Sequence, residues 1–365
     1  MEHHENKEEF KHLKVNKGVK ETKSVNPNLK KIKRKTLSAE DLFKQIIAGD
    51  MPALSRSITL IESAHEKHQQ LAKEIINLCL PYSGKARRIG ITGVPGVGKS
   101  TFIEAFGLEL TKAGHKLAIL AIDPSSERSK GSILGDKTRM EELVKTPNVF
   151  IRPSPSSGTL GGVARKTRES IILCEVAGFE TILIETVGVG QSEVAVHSMT
   201  DFFLLLMLSG AGDELQGIKR GIMEMADTIA ITKADNDNIL KAKTAASEYK
   251  NALHLLPSNS KEWETKVYTC SSVTKEGIAE ISNTISDFFI LGKSNGSIAT
   301  KRSQQALYWL KESIKEHLNY SLFRNESISM LIEDLQKHVE NMEINPFDAA
   351  DQIFKAYIEA IKQSS

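Results

Sequence analysis

The run Gly93-Val94-Pro95-Gly96-Val97-Gly98-Lys99-Ser100-Thr101 follows the apolar stretch Ile89-Gly90-Ile91-Thr92 and leads into a helical stretch. A strand, a glycine-punctuated turn of the form G-x-x-x-x-G-K-[ST] and a helix, in that order, specify a backbone that wraps around phosphate groups. Gly93, Gly96 and Gly98 let the chain bend so that successive N–H groups point inward. The helix opening near Lys99 adds the positive end of its dipole. Lys99 is expected to meet the β and γ phosphates as a point charge, and the Ser100 hydroxyl to ligate Mg²⁺. The whole run from Gly93 to Thr101 is therefore read as nucleotide-binding.

Such a loop belongs at the carboxyl edge of a parallel sheet, and the rest of the chain has the matching rhythm of short apolar runs separated by helical stretches. Candidate strands are 89–92, 117–122, 149–152, 181–185, 202–208, 228–232 and 267–269. They make one α/β domain over residues 88–291, with a mainly parallel central sheet. Residues 38–87 read as a helical extension. Ser38-Ala39-Glu40-Asp41 has the form of a capping box, Gly49 is a helix stop, and Asp50 with Pro52 opens the next helix. The run from Gly292 to Ser297 is a linker by composition. Beyond it, Leu307, Leu310 and Ile314, then Leu331 and Leu335, then Ile353 and Ile358, predict two or three amphipathic helices that pack on the core or on a second subunit. This final region covers 292–365.

Charge is distributed unevenly. Residues 1–38 carry 11 Lys and Arg against 5 Glu, so the rest has a net charge of −4 although the whole chain has +2. Residues 1–37, with Lys30-Lys31-Ile32-Lys33-Arg34-Lys35 and almost no aromatics, have too little apolar surface to offset ordering and read as a disordered basic tail. No apolar segment of a secretory signal follows the start, and Glu2, Glu5, Glu8 and Glu9 argue against a mitochondrial transit peptide. The longest apolar run, Phe202 to Leu208, is far short of the roughly 20 residues a bilayer needs. Neither a membrane nor nucleic acid is expected as a partner. Three widely spaced cysteines without CxxC spacing fit a reducing, cytoplasmic setting.

A phosphate loop needs a carboxylate that organises the metal, usually at the end of a neighbouring strand. Glu185, ending Thr181-Ile182-Leu183-Ile184, occupies the Asp position of a D-x-x-G pattern with Gly188, whose N–H is placed to meet the γ-phosphate. Asp123 follows Leu120-Ala121-Ile122, and Asp136 lies a short way beyond. Acids after strand ends face the ligand edge of such sheets, so Ser100, Asp123, Asp136 and Glu185 form the candidate metal set. Base selection is read from Thr232-Lys233-Ala234-Asp235, a T-K-x-D variant of N-K-x-D. The Asp235 carboxylate can accept from guanine N1–H and N2–H together, an arrangement adenine does not offer. Lys233 is expected to lay its stem over the base, Thr232 in place of Asn to weaken one supporting contact, and the backbone N–H groups of Ser271 and Ser272 to meet guanine O6.

With these residues in view the chain resembles the methylmalonyl-CoA mutase-associated GTPases, the MeaB/ArgK-type group of the SIMIBI class of P-loop proteins. The resemblance spans roughly residues 40–345. Its marks are Asp123-Pro124-Ser125-Ser126, Gly131 to Met140, Glu185-Thr186-Val187-Gly188-Val189-Gly190-Gln191-Ser192-Glu193 and Gly212 to Ile222. It implies a P-loop GTPase fold with a C-terminal helical dimerisation arm, and GTP hydrolysis coupled to delivery, gating or repair of adenosylcobalamin in an acyl-CoA mutase. The cofactor itself would stay on the client, and a functional link to a cobalamin adenosyltransferase follows. By resemblance Asp123 to Asp136 is switch I, Glu185 to Glu193 switch II and Asp213 to Lys219 a third switch touching the client. Lys99, Asp123 and Glu185 would then be catalytic, with Gln216 and Lys219 completing the client-stimulated state. Departures are the first 37 residues, Thr232 and Ser272. Two rival readings are a nickel metallochaperone GTPase, which would need a Cys/His cluster that this sequence does not place near the switches, and an ATP-dependent kinase linked to amino-acid transport, against which Asp235 argues.

Overall fold

A computed structural model describes residues 37–112, 114–122, 140–153, 160–186, 192–210, 220–255 and 262–364. Seven parallel strands form one sheet in the order β3-β2-β4-β1-β5-β6-β7. They are β1 (Arg87–Gly93), β2 (Leu117–Ile122), β3 (Val149–Arg152), β4 (Thr181–Thr186), β5 (Phe202–Met207), β6 (Thr228–Ile231) and β7 (Lys266–Thr269). The four central ones are apolar and buried on both faces, which is why they read as continuous apolar runs rather than alternating ones. The chain builds β1 to β4 on one side, then crosses β1 to add β5, β6 and β7 on the other. Loops after β1 and β4 thus leave the same carboxyl edge at the centre of the sheet, the place where such sheets bind ligands.

Helix α4 (Lys99–Lys112) covers one face, sending Phe102, Phe106 and Leu110 against Ile89, Ile91 and Leu204. Helix α10 (Ile278–Ser294) joins the same core through Ile281, Ile285 and Phe289. Part of the other face packs Leu205, Met207, Ile229 and Ile231 against Ala242 and Tyr249 of α9 (Ile239–His254). The short α5 (Glu141–Lys145), α6 (Leu160–Val176), α7 (Ser192–His197) and α8 (Arg220–Met225) complete the α/β layers.

The extension before the sheet is helical, as its caps predict. Ser38 Oγ accepts from Asp41 N at 3.1 Å and Asp41 Oδ2 from Ser38 N at 3.4 Å, opening α1 (Ala39–Ile47). Gly49 follows with φ +80°, and Asp50 caps α2 (Met51–Glu62) by accepting from Ala53 N at 2.7 Å. Helix α3 (Glu66–Cys79) restarts at His65.

The expected linker after 291 is a correction. Helix α10 runs on through Gly292 to Ser294, and only Asn295 and Gly296 separate it from α11 (Ser297–Phe323). Gly292 is buried there, and a Cβ on it would stand 2.6 Å from Ile298 Cγ1, so its glycine serves close packing rather than flexibility. Helices α12 (Glu326–Glu340) and α13 (Pro346–Ser364) end the chain.

Helix α11 is bolted to the amino edge of the sheet by a buried charge network. Arg302 grips Asp201 with Nε to Oδ1 at 2.7 Å and Nη2 to Oδ2 at 2.6 Å, and also donates to the Gly84 and Ala86 carbonyls. Arg88 donates its backbone N–H to Asp201 Oδ2 at 3.0 Å and its Nε to Glu175 Oε1 at 2.9 Å. Among the described residues no helix is long and apolar enough to cross a membrane.

Candidate functional site

The turn after β1 has the left-handed residues its sequence requires, with φ +78° at Gly96 and +89° at Gly98. Gly93 answers a different demand: a Cβ there would lie 2.5 Å from Leu206 O of the adjacent strand. Helix α4 starts immediately, with Phe102 N donating to Gly98 O at 2.8 Å. Lys99 is folded back into its own loop, its Nζ donating to Gly93 O at 2.9 Å and Val94 O at 3.3 Å. Burial lowers its pKa, and the charges of Glu185 and Glu193 push it back up.

Glu185 lies at the carboxyl end of β4, in register with Ile91 of β1 and Ala121 of β2, and is buried. Ser100 Oγ donates to its Oε1 at 3.4 Å. Behind them the buried hydroxyls of Thr92 and Thr186 join β1 to β4 at 2.8 Å. Ser100 and Glu185, two members of the candidate metal set, are therefore neighbours. Asp123, Asp136, Gln216 and Lys219 lie outside the described residues, as does Gly188.

Thr232, Lys233 and Asp235 form the other half of the site, and at Ser271 the geometry departs from expectation. Thr232 Oγ1 donates to Val97 O at 2.7 Å, so threonine ties the segment that follows β6 straight to the phosphate loop. Lys233, at φ +56°, donates its Nζ to Gly96 O at 2.8 Å, laying its stem along the same loop. Ser271 works through its hydroxyl, which donates to Asp235 Oδ2 and accepts from the N–H groups of Val273 at 3.2 Å and Thr274 at 3.1 Å. Its own backbone N–H donates to Glu276 O at 2.9 Å, so it is not the free amide the sequence suggested. Ser272 is placed beside it in the same turn.

A family model described as methylmalonyl Co-A mutase-associated GTPase MeaB matches residues 54–327. The chain belongs to the MeaB family of GTPases. This MeaB-family chain is 44% identical to GTPase ArgK of Escherichia coli, an alignment covering 83% of it and 92% of ArgK. It is 45% identical to the mitochondrial methylmalonic aciduria type A homolog of Mus musculus, over 87% of this chain and 79% of that one. A crystal structure of a LAO/AO transport system kinase superposes with a TM-score of 0.71 at 36% identity, covering 87% of this chain and 96% of the other. The P-loop and nucleotide-binding class of this GTPase rest on those likenesses together with the loop itself.

Sequence reasoning did not single out the Thr92–Thr186 pair or Asn238, and it named Glu193 only as the last residue of the second switch. Asn238 Nδ2 donates to Lys233 O at 2.7 Å, holding the base-recognition turn. Glu193 is almost fully buried in the first turn of α7, and its Oε2 has no hydrogen-bond partner among the described residues. An acid at a helix start reads in sequence as a dipole partner, so only its burial reveals it.

Proposed function

We propose that this chain binds GTP and GDP with Mg²⁺ at the carboxyl edge of the sheet, hydrolyses GTP slowly, and uses the cycle to gate delivery, protection or reactivation of adenosylcobalamin in an acyl-CoA mutase of the methylmalonyl-CoA type. The observation that carries the guanine assignment is the Ser271 to Asp235 hydrogen bond, with Thr232 and Lys233 anchored on Val97 O and Gly96 O. A carboxylate held by one of its own oxygens presents a fixed acceptor edge, which suits the two N–H groups of guanine and leaves the adenine amino group badly matched. The client assignment rests on the family's name and on the mouse relative's.

Phosphoryl transfer to water requires positioning and charge stabilisation more than covalent chemistry. Lys99 would exchange its two bonds to Gly93 and Val94 carbonyls for oxygens of the β and γ phosphates. The amides of the loop would hold the same phosphates from the other side. Ser100 and Glu185 are a hydroxyl and a carboxylate within 3.4 Å, oxygen donors of the kind Mg²⁺ takes, and Asp123 and Asp136 would join them directly or through water. Bound Mg²⁺ supplies neutralisation of the charge shared between the phosphates. No Gln follows Gly188 directly to orient water, so intrinsic turnover is slow, and Gln216 and Lys219 complete the stimulated state when the client docks.

Residues 292–365 form the dimerisation region in this reading. Leu307, Leu310, Ile314 and Leu318 make an exposed stripe along α11, and Phe347, Phe354 and Ile358 another along α13, patches that a second copy would cover. The protein would act in the cytoplasm, beside the mutase and a cobalamin adenosyltransferase. The test is multiple-turnover phosphate release from GTP with and without an adenosylcobalamin-dependent acyl-CoA mutase, for the native chain and Lys219→Ala. Slow basal release, raised by mutase in the native chain and less so in the variant, is expected. A rate indifferent to mutase would remove the client assignment.

A further inference from the structure

The sheet ends at β7, which pairs with β6 on one side only, and nothing in the proposed hydrolysis uses its other side. Cys270 N–H donates to Ile231 O at 2.8 Å and Ala234 N–H to Cys270 O at 3.0 Å, so Cys270 turns both its backbone groups inward, toward β6. Backbone groups alternate in direction along a strand, so Tyr268 does the same, while the N–H and C=O groups of Val267 and Thr269 point away from the sheet. Thr269 O is roofed by Gly277, where a Cβ would stand 2.2 Å from it. The groups left without a backbone partner among the described residues are Val267 N–H, Val267 C=O and Thr269 N–H. Proteins commonly blunt such an edge with a lysine or a proline. Here Lys266 is drawn over the Trp263 ring, its Nζ 5.0 Å from the centroid, and the strand holds no proline.

The two faces beside this edge carry opposite charge. Val267 packs into the core beneath α9, whereas Tyr268 turns to the other face, its hydroxyl sharing a hydrogen bond with Thr284 of α10 at 2.7 Å. A groove of about 420 Å³ runs along β7, with Lys243 and Lys250 of α9 on one wall and Glu276 and Glu280, around the start of α10, on the other. All four side chains are exposed. None of them takes part in an ion pair among the described residues.

That charge pattern chooses between occupants. A second copy adding its own β7 about a two-fold axis normal to the sheet would set the two lysines against their equals and the two glutamates against theirs. Like charges opposed across a strand pair are destabilising. A strand whose residues alternate between acid and base instead meets both walls at once, because successive side chains face opposite sides. We infer that the β7 edge is a docking site for an extended segment of a partner protein in which acidic and basic residues alternate. Its acids face Lys243 and Lys250, its bases face Glu276 and Glu280, and its backbone completes the ladder at Val267 and Thr269. This inference does not rest on the function proposed above.

The probe is the peptide acetyl-Glu-Lys-Val-Thr-Glu-Lys-amide, titrated to about 1 mM, the weak end of the affinity scale, into the full isotope-labelled chain. Amide resonances and hydrogen exchange are followed by nuclear magnetic resonance. Before peptide is added, the Val267 and Thr269 amides are expected to exchange at least about tenfold faster than those of Tyr268 and Cys270. The peptide should then slow both and shift their resonances. Its fully N-methylated form cannot pair and is expected to bind at least about tenfold more weakly, each backbone hydrogen bond being worth about fivefold. Lys243→Glu combined with Lys250→Glu is expected to weaken the peptide about tenfold and to favour acetyl-Lys-Lys-Val-Thr-Lys-Lys-amide, which suits two acidic walls. Slow exchange at Val267 and Thr269 before any peptide is present would mean that a second copy or another part of the chain already covers the edge, and it overturns the inference. So does a peptide that leaves both amides unmoved, or an N-methylated form that binds as well as the parent.

Discussion

The two edges of the sheet treat charge in opposite ways. At the amino edge Asp201 and Glu175 are fully buried but saturated: Arg302, Arg88 and two backbone N–H groups supply every donor they need. At the carboxyl edge Lys99 caps its own loop, Ser100 reaches Glu185 at the long distance of 3.4 Å, and Glu193 keeps one oxygen without a donor among the described residues. Both edges bear desolvation, yet among the described residues the first recovers more of it. A saturated buried network holds a fold together, whereas an unsaturated one marks where a ligand is to bring the missing partners.

The comparison breaks most visibly at Arg302. Replacing it by Met leaves Asp201 buried without its main partner, a change that costs about 3–5 kcal/mol. Urea denaturation should show that loss, while GDP affinity of the folded fraction stays close to native. Asp235→Asn acts at the other edge with the opposite signature: little change in melting temperature, but a loss of about 3 kcal/mol in GTP binding, roughly a hundredfold, because two hydrogen bonds to a charged acceptor go. Calorimetric titration reads it directly.

A pH experiment sharpens the amino edge further. Burial, helped by Lys301, lowers the pKa of His197 to about 4, so the imidazole stays neutral in the fold while the unfolded chain takes up a proton below about pH 6.5. Stability contributed by His197 is therefore complete above pH 6.5 and drains away as pH falls toward 4. From pH 7.5 to 5 the loss is at most about 2 kcal/mol, and His197→Gln is expected to flatten the melting temperature over that range. An unchanged slope in the variant would place the acid sensitivity elsewhere. The smallest effect is expected from Ser271→Ala, which frees Asp235 to rotate: a loss of about 1 kcal/mol in GTP affinity, near fivefold, with ATP binding unaffected.

The central strands were legible because parallel strands buried on both faces leave an uninterrupted apolar trace, the edge strands β3 and β7 because their short apolar runs fall in the same rhythm, and the phosphate loop because its glycines and lysine admit few other uses. Boundaries set by composition were less secure. The run from Gly292 to Ser297 reads as a flexible join, but Gly292 is small because Ile298 presses on it. Ser271 departs from expectation for a related reason: local sequence shows which donors and acceptors exist, and only the fold shows which are already spent. Ser271 N–H is spent on Glu276 O, leaving its hydroxyl to orient Asp235. Glu193 was legible only as the end of the Glu185 to Glu193 string; that it is buried, with Oε2 lacking a hydrogen-bond partner among the described residues, needed the fold.

The account turns on guanine recognition by a loop and a turn that share hydrogen bonds. Its most direct test is a parallel calorimetric titration of the native chain with GTP, GDP and ATP in the presence of Mg²⁺. Binding of both guanine nucleotides at least about a hundredfold tighter than ATP, as expected where a polar site loses its partners to the wrong base, is the predicted result. Equal affinity for ATP would contradict the reading of Asp235 and, with it, the function proposed for this chain.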